Sequence, residues 1–287
     1  MEKSISGFRN SAALAAVPMH KARRTAWSAS GTPSRYPIST MRPQLRPFHL
    51  HWFSRLRSTN DHAAVLRRRG DLFAPSIILT GHQIAGRGRG SNTWWSGIGS
   101  LTATFVIATN DAIAPHQVPL LAGLAIRNAA AELTGDSAIS LKWPNDLLFE
   151  GRKLAGLLCE RLERVDLIGL GLNVNLDRTE APPGLRDRIT YLSQIVGKPL
   201  DQSVVLASVA KHLHRSLSRS AGRPFAEALT EYNRHHALTG RRIAVSGVPG
   251  EERVVGVCRG MDSIGRLLVR NPSGTQHIIA GHVTLLP

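Results

Sequence analysis

Leu141-Lys142-Trp143-Pro144-Asn145-Asp146-Leu147-Leu148-Phe149 runs directly into Glu150-Gly151-Arg152-Lys153-Leu154-Ala155-Gly156, and the whole reads as short apolar strands separated by turn residues. Pro144 has a fixed φ and no N–H, so the strand ending at Trp143 bends there and Asn145 and Asp146 project from the turn at its end. The charged turn Glu150-Gly151-Arg152-Lys153 sits where a hairpin would place it, and one hairpin brings Lys153 back beside Asn145 and Asp146. A turn capped by Asn and Asp, with a solvated lysine opposite, is the plainer reading of the same residues.

Working outward, residues 154–160 and 167–174 continue the strand pattern. Upstream, Ala122, Ala125, Ile126, Ala129, Ala130 and Leu133 follow helical spacing and predict a helix packed closely on the sheet. Strands are expected over 101–109, 76–80 and 50–56, the point near Leu50 where organised sequence begins. Ser58-Thr59-Asn60-Asp61 is a cluster of N-cap residues opening a helix that stops at Gly70. Downstream, Leu206, Val209, Ala210, Leu213 and Leu217 form a second helical stripe capped by Asp201, and a third helix is expected from Phe225 to about His236. After Gly240, several β-rich runs with turns at Gly247, Gly250, Gly265, Gly274 and Gly281 read as a small all-β barrel. The fold class is α+β, divided into a basic, disordered extension over 1–48, a sheet-and-helix domain over 49–238 and a compact β domain over 239–287.

The 287 residues and 42% apolar content suffice to fill a core. No membrane span is expected, since even the apolar stretch 118–139 is broken by Arg127, Glu132 and Asp136. The formal charge of +16 suggests nucleic acid until it is divided along the chain: residues 1–57 hold two Lys and eight Arg against Glu2 alone. That segment is rich in Ser, Pro and Ala and has no acidic residue between Lys3 and Asn60. It reads as an over-long start with Met41 as initiator, an organelle-type leader or a nucleic-acid-binding arm. It lacks the two-helix pattern of a DNA-reading helix-turn-helix. Cys159 and Cys258 lie far apart in apolar neighbourhoods, as buried thiols of a reducing compartment would.

Gly86-Arg87-Gly88-Arg89-Gly90 carries the sharpest chemistry. Glycines let backbone N–H groups close around an anion, and two arginines offer planar forks for carboxylate or phosphate oxygens. An Arg-Gly surface loop or RNA contact is the blander reading. It is no dinucleotide fingerprint, because Ser91 stands where the third glycine would fall, and no P-loop pattern occurs in the chain. Gly169-Leu170-Gly171-Leu172-Asn173-Val174-Asn175 is a glycine-punctuated strand that would let a ligand lie close.

In this order and spacing, Ser58-Thr59-Asn60, Gln83 with Gly86-Arg87-Gly88-Arg89, Lys142-Trp143-Pro144-Asn145-Asp146-Leu147, Arg152-Lys153-Leu154-Ala155-Gly156 and Gly169-Leu170-Gly171-Leu172-Asn173 resemble the motifs of the biotin protein ligase family. The resemblance spans about 50–175 and continues more faintly through Gly256-Val257-Cys258-Arg259-Gly260-Met261-Asp262 with Gly265 into the family's small C-terminal barrel. It implies a mixed β-sheet catalytic domain of the biotin/lipoate ligase type followed by an SH3-like β-barrel. It also implies activation of biotin by ATP, with Mg²⁺ on the nucleotide phosphates and no metal ligands in the protein, and transfer to a lysine of a biotin carboxyl carrier protein or domain. Arg87, Arg89 and Lys153 would offset charge in the adenylation step, with Lys153 beside the biotin carboxylate and the α-phosphate. Ser58, Thr59, Asn60 and Gln83, together with Arg87, Gly88, Arg89 and Lys153, match positions that bind biotin, although capping also accounts for Ser58 and Thr59. Trp94 stands where the family supplies an aromatic wall for adenine, a core tryptophan being the alternative. Asp146 would orient or deprotonate the acceptor lysine, and Asn145 and Asn173 would contact the nucleotide or support Asp146.

Two departures stand out. Gly90-Ser91-Asn92-Thr93-Trp94 is uncharged where many members continue with Arg and Gly, so looser closure and faster leakage of the adenylate are expected. A winged DNA-reading domain is not apparent in the sequence, so no specific DNA binding is expected. The resemblance allows a homodimer, and a cytoplasmic location is the default. A lipoate or octanoate protein ligase of the same fold and a non-catalytic basic nucleic-acid-binding protein are the competing functions.

Overall fold

The computed structural model describes residues 42–218 and 224–287. Most of the expected disordered extension therefore lies outside the described residues. Organised chain begins earlier than Leu50: a 3-10 turn over Arg42–Leu45 leads in, and Leu45 and Phe48 are buried in the main core. Phe48 packs edge-on against Phe105, so this entry segment closes one end of the sheet.

Seven strands form the main sheet. In chain order the first elements are β1 (His49–Phe53), α1 (Thr59–Arg68), β2 (Ser76–Thr80), a small hairpin of β3 (Gly86–Arg87) and β4 (Thr93–Trp94), and β5 (Ser100–Ala108). Next come α2 (Val118–Thr134), β6 (Ser140–Lys142), β7 (Asp146–Phe149), β8 (Arg152–Leu162) and β9 (Val165–Asn173). The sheet order is β1-β2-β5-β9-β8-β7-β6. Within this sheet β1 and β2 pair in parallel and the other neighbouring strands pair antiparallel, so the sheet is mixed. Helices α3 (Gln202–Leu217) and α4 (Phe225–Arg234) follow.

Local chemistry explains the boundaries. The Ser58 Oγ caps α1 by accepting the Asp61 N–H at 3.3 Å, and Gly70, at φ 78°, takes the left-handed turn that releases the chain. Asp201 caps α3 through the Ser203 N–H at 2.8 Å. Phe149 faces Arg152 across a two-residue turn in which Glu150 and Gly151 have φ of 50° and 75°, which matches the right-handed twist of the flanking strands. The expected strand over 50–56 ends at Phe53; beyond it Leu56 makes one isolated parallel bridge to Gln83.

The sheet has two different faces because side chains alternate along a strand. Ala103, Phe105, Leu157, Ile168, Leu170 and Leu172 bury themselves with Ala122, Ile126 and Ala129 of α2. The other face of the central strands carries Ser100, Thr102 and Thr104 on β5, Gly169, Gly171 and Asn173 on β9, and Gly156 on β8. Helix α1 covers one end of it, over Ile78, Val106, Val165 and Leu167. The rest remains as a floor.

The C-terminal segment forms a five-stranded antiparallel sheet: β10 (Arg242–Val248), β11 (Glu251–Met261), β12 (Leu267–Asn271), β13 (Gly274–Ile278) and β14 (His282–Leu285), ordered β13-β12-β11-β10-β14. The SH3-like character expected of this region fits that sheet. Barrel closure is not seen, because among the described residues β13 and β14 do not pair with each other. The Trp143 indole N–H, buried at 2% exposure, donates to the Gly265 carbonyl at 3.3 Å and fastens the two sheets together. No helix among the described residues is long and apolar enough to cross a membrane.

Candidate active site

The site lies on the glycine and hydroxyl face. One hydrogen-bonded row crosses the sheet through Lys142, Asp146, Gly156, Gly171 and Thr102. Glycine at two of these places leaves room above the strands, and protein side chains already use it. A Cβ on Gly171 would run into the Trp94 ring, and one on Gly169 into the Asn60 amide. The glycines expected to admit a ligand therefore first seat Trp94 and Asn60.

At one end, Lys153 and Asp146 form an ion pair of 2.7 Å. The hairpin expected from sequence has brought them together, which answers the reading of a lysine pointing to solvent. Lys153 Nζ also lies 5.8 Å from the Trp94 ring centroid, within cation–π range. Arg89 is drawn below its ordinary value by burial, an effect that the charge of Asp146 opposes. Lys142, which sequence reasoning quoted without a role, stands opposite Asp146 in the register. Burial pushes its ammonium below the usual lysine range; Asp146 opposes this, while Lys153 and Arg188 add to it. One carboxylate thus pairs with Lys153 and acts on the charges of Arg89 and Lys142, an excess of cations suited to a polyanion.

Two asparagines support this end. Asn173, 2% exposed, donates through Nδ2 to the carbonyls of Lys153 (3.3 Å) and Thr190 (3.0 Å). Asn145 donates to the Leu157 carbonyl at 2.6 Å. Asn173 thus spends both of its N–H groups on backbone carbonyls, which favours its supporting role, whereas Asn145 spends one on β8 and keeps the other.

At the other end, Ser58, Thr59, Asn60 and Gln83 are all buried. Gln83 Oε1 accepts from the Thr59 N–H (2.8 Å) and hydroxyl (3.3 Å). Asn60 Nδ2 donates to the Leu158 carbonyl (3.1 Å) and to Glu160 (2.7 Å), while its Oδ1 accepts from Thr104 at 2.6 Å. Both Asn60 donors are therefore engaged within the protein. Arg87 reaches Asp61 at 2.7 Å and both Glu160 oxygens at 3.0 Å. Burial alone would lower its guanidinium, but the hydrogen bond and charge of Glu160, joined by Asp61, hold it above its ordinary value. Asp61 and Glu160 were not singled out from sequence as partners of Arg87. Nothing in the local pattern links residues this far apart.

The Gly-Arg loop joins the two ends. Gly86 packs so tightly between Trp94 and Gln83 that a Cβ would strike both. The Gly88 N–H donates to the Asn92 carbonyl at 2.7 Å, and Asn92 Nδ2 donates to the Arg89 carbonyl at 2.8 Å, so the uncharged half of the loop is braced by its own bonds. Arg89 Nη1 donates to the Gly281 carbonyl of the C-terminal sheet at 2.9 Å. Of the two cysteines, Cys258 is buried as expected, whereas Cys159 is half-buried on β8; both are free thiols.

Residues 52–177 match the model of the Biotin/lipoate A/B protein ligase family, which sets the class. Biotin--[acetyl-CoA-carboxylase] ligase of Mycobacterium tuberculosis is 31% identical over 222 residues, covering 73% of this chain and 79% of the relative. The enzyme of the same name from Paracoccus denitrificans is 28% identical, over 79% of this chain and 97% of its own length. A solved biotin protein ligase from Aquifex aeolicus, in complex with biotin and ATP, superposes with a TM-score of 0.73 at 28% identity, covering 83% of this chain and 98% of that one. The chain belongs to the biotin protein ligase family, as its motifs indicated.

Proposed function

We propose that this chain joins biotin to ATP, forming biotinyl-5′-AMP and releasing pyrophosphate, and then passes the biotinyl group to one lysine of a biotin carboxyl carrier protein or domain. The observation that carries the reading is the Lys153–Asp146 pair, 2.7 Å apart beneath Trp94, with Arg89 in the field of the same carboxylate. In the first half-reaction a biotin carboxylate oxygen attacks the α-phosphorus and the bond to pyrophosphate breaks. Lys153 and Arg89, with Arg87 and Lys142 at the rim, offset the negative charge that converges there. Thr59 and Gln83 face the biotin end, with Ser58 capping α1 and Asn60 holding the wall in register. Gly88 keeps the loop backbone close, and Trp94 forms the wall beside the adenine. Asn145 and Asn173 support the strand that carries Lys153. In the second half-reaction Asp146 orients the incoming amine and accepts its proton, while the carbonyl–phosphate bond of the adenylate breaks.

Mg²⁺ would accompany the nucleotide on its phosphate oxygens, where it would supply charge neutralisation. The two free thiols suit a reducing compartment such as the cytoplasm. The same reading has the enzyme act without operator recognition, so sequence-specific DNA binding by the purified protein would overturn that part. A homodimer is compatible with it, and sedimentation equilibrium of the purified chain decides the matter.

The test is to incubate the purified chain with biotin, ATP-Mg²⁺ and a carrier domain and to follow the carrier's mass. One biotinyl group per carrier is expected, absent without ATP and reduced about 100-fold or more in Lys153→Ala. A well-folded chain that labels none of several carrier domains would overturn the reading.

A further inference from the structure

Arg87, the other arginine of the loop, stands at the rim of the site, and in this structure its Nη2 is held by protein carboxylates. Nη2 sits 2.7 Å from Asp61 Oδ1 and 3.0 Å from each Glu160 oxygen. Asp61 lies in the first turn of α1, Glu160 on β8 and Arg87 on β3, so three elements converge on one cation. Glu160 does two jobs: its Oε2 also accepts from Asn60 Nδ2 at 2.7 Å, and Asn60 in turn is fixed by Thr104 and by the tight approach to Gly169. Asp61, by contrast, spends its backbone N–H on the Ser58 cap and turns its half-exposed carboxylate to Arg87. Glu160 is thus tied to a second partner, while Asp61 is half exposed and has its carboxylate on Arg87.

Resting on the ligase reading above, we propose that Asp61 and Glu160 are positioning residues that park Arg87, so that an anionic substrate drawing Arg87 Nη2 into the site competes with their carboxylate oxygens for it. A carboxylate or phosphate entering the site offers the Arg87 Nη2 charge-assisted oxygens of the kind that Asp61 and Glu160 offer now. The difference between the two states is then small, and the pair sets the ligand concentration at which Arg87 changes sides. Because Asp61 is half exposed, its share is modest and salt-dependent.

The test compares the full-length chain with Asp61→Asn, Glu160→Gln and the double variant, measuring KM for biotin and kcat of ATP-dependent adenylate formation at low and high ionic strength, with Tm alongside. Both substitutions keep shape, and Glu160→Gln retains a carbonyl oxygen for Asn60. Each single variant is expected to lower KM for biotin at low salt by about 2- to 5-fold, and the double by about 10-fold, with the change falling on KM rather than kcat. The advantage shrinks in about 1 M salt, where the Debye length is about 3 Å. Asp61→Glu restores the wild-type KM. A raised KM, or a KM unchanged at low salt in variants with wild-type Tm, overturns the parking role and makes the carboxylates simple scaffolding. Failure of the wild-type chain to form any adenylate defeats the ligase reading first, and the parking role with it.

Discussion

Replacing Gly171 with alanine tests whether the glycine floor exists to seat Trp94. The added methyl carbon would stand 2.6 Å from Trp94 Cδ2, with the neighbouring ring carbons closer still. Ordinary carbon–carbon contact is about 3.5–4.0 Å, so something must retreat by about 1 Å or more. β9 is flanked along its length by β5 and β8 and cannot yield cheaply. Trp94 can, since β4 is only two residues long and pairs with β3 alone. Its displacement is carried to Gly86 and Arg87, which face Trp94 and Thr93 across that hairpin. Overpacking of this kind costs about 1–3 kcal/mol, which for a chain of this size lowers Tm by roughly 2–4 °C per kcal/mol. Misplacement near 1 Å in a positioning group costs about 100-fold in rate. We therefore expect Gly171→Ala to lose about 10- to 100-fold in kcat/KM for ATP, read as pyrophosphate release in the presence of biotin, with a Tm lower by a few degrees. Adding Trp94→Phe should restore part of the Tm, giving a non-additive pair. Wild-type Tm and ATP kinetics in Gly171→Ala would refute the reasoning, because the methyl group would then have found room without moving the ring.

Two further predictions concern pH. His236 is buried, its Nε2 has no partner among the described residues, and burial draws it down to about 4. The unfolded chain takes up this proton first, so the contribution is fully present above about pH 6.5 and is lost as pH falls toward 4, amounting to about 3 kcal/mol at most. Urea unfolding of wild type and His236→Leu at pH 7.5 and 4.5 should show a smaller pH dependence in the variant; identical slopes would remove His236 as the cause. For Asp262, burial would raise the carboxyl, but hydrogen bonds from His277, from the Arg266 backbone and guanidinium and from the Ile264 N–H outweigh it and hold it at about 2. Its folded value lies below the unfolded one, so stability is present above about pH 3.8 and is lost as pH falls toward 2. Asp262→Asn should cost about 1–2 kcal/mol at pH 7 after allowing for the solvent-exposed partners, and the difference should vanish only once the pH is below about 2. A variant with unchanged stability at pH 7 would show that the network is ornamental.

The features legible in the sequence are those whose causes are local. Ser58 and Asp201 cap the helices they appear to cap, Gly70 stops α1, and Glu150-Gly151 closes the hairpin that returns Lys153 to Asp146. What the sequence hides is set by partners far along the chain. Arg89 finds the Gly281 carbonyl 192 positions away, and Arg87 finds Glu160 across 73. Gly169 and Gly171 were read as room for a ligand, and only the packing reveals that Asn60 and Trp94 stand over them. The short helices Pro183–Arg186 and Leu192–Val196 have too few turns to show a period and were not anticipated. The early start of the ordered chain was missed because two core residues, Leu45 and Phe48, sit among Arg and Pro residues that suppress any apolar pattern.

The placement of Lys142 shows how far one motif can be read. Pro144 turns the chain, and the register then sets Lys142 directly across from Asp146, so the lysine and the aspartate of a single five-residue stretch face each other on adjacent strands. The same bend buries Trp143 on the opposite side, where its indole N–H meets Gly265. Gly265 has φ of 91°, and a side chain there would collide with Leu120 and Phe225, so the turn it makes is held by α2 and α4 as well. One side of the motif thus carries charge into the site while the other bolts the C-terminal sheet to the helices. Arg89 adds a second tie, from the Gly-Arg loop to Gly281 of the same sheet. The C-terminal sheet is therefore tied both to the Lys142–Asp146 motif and to the Gly-Arg loop, the two segments whose charges meet at Asp146.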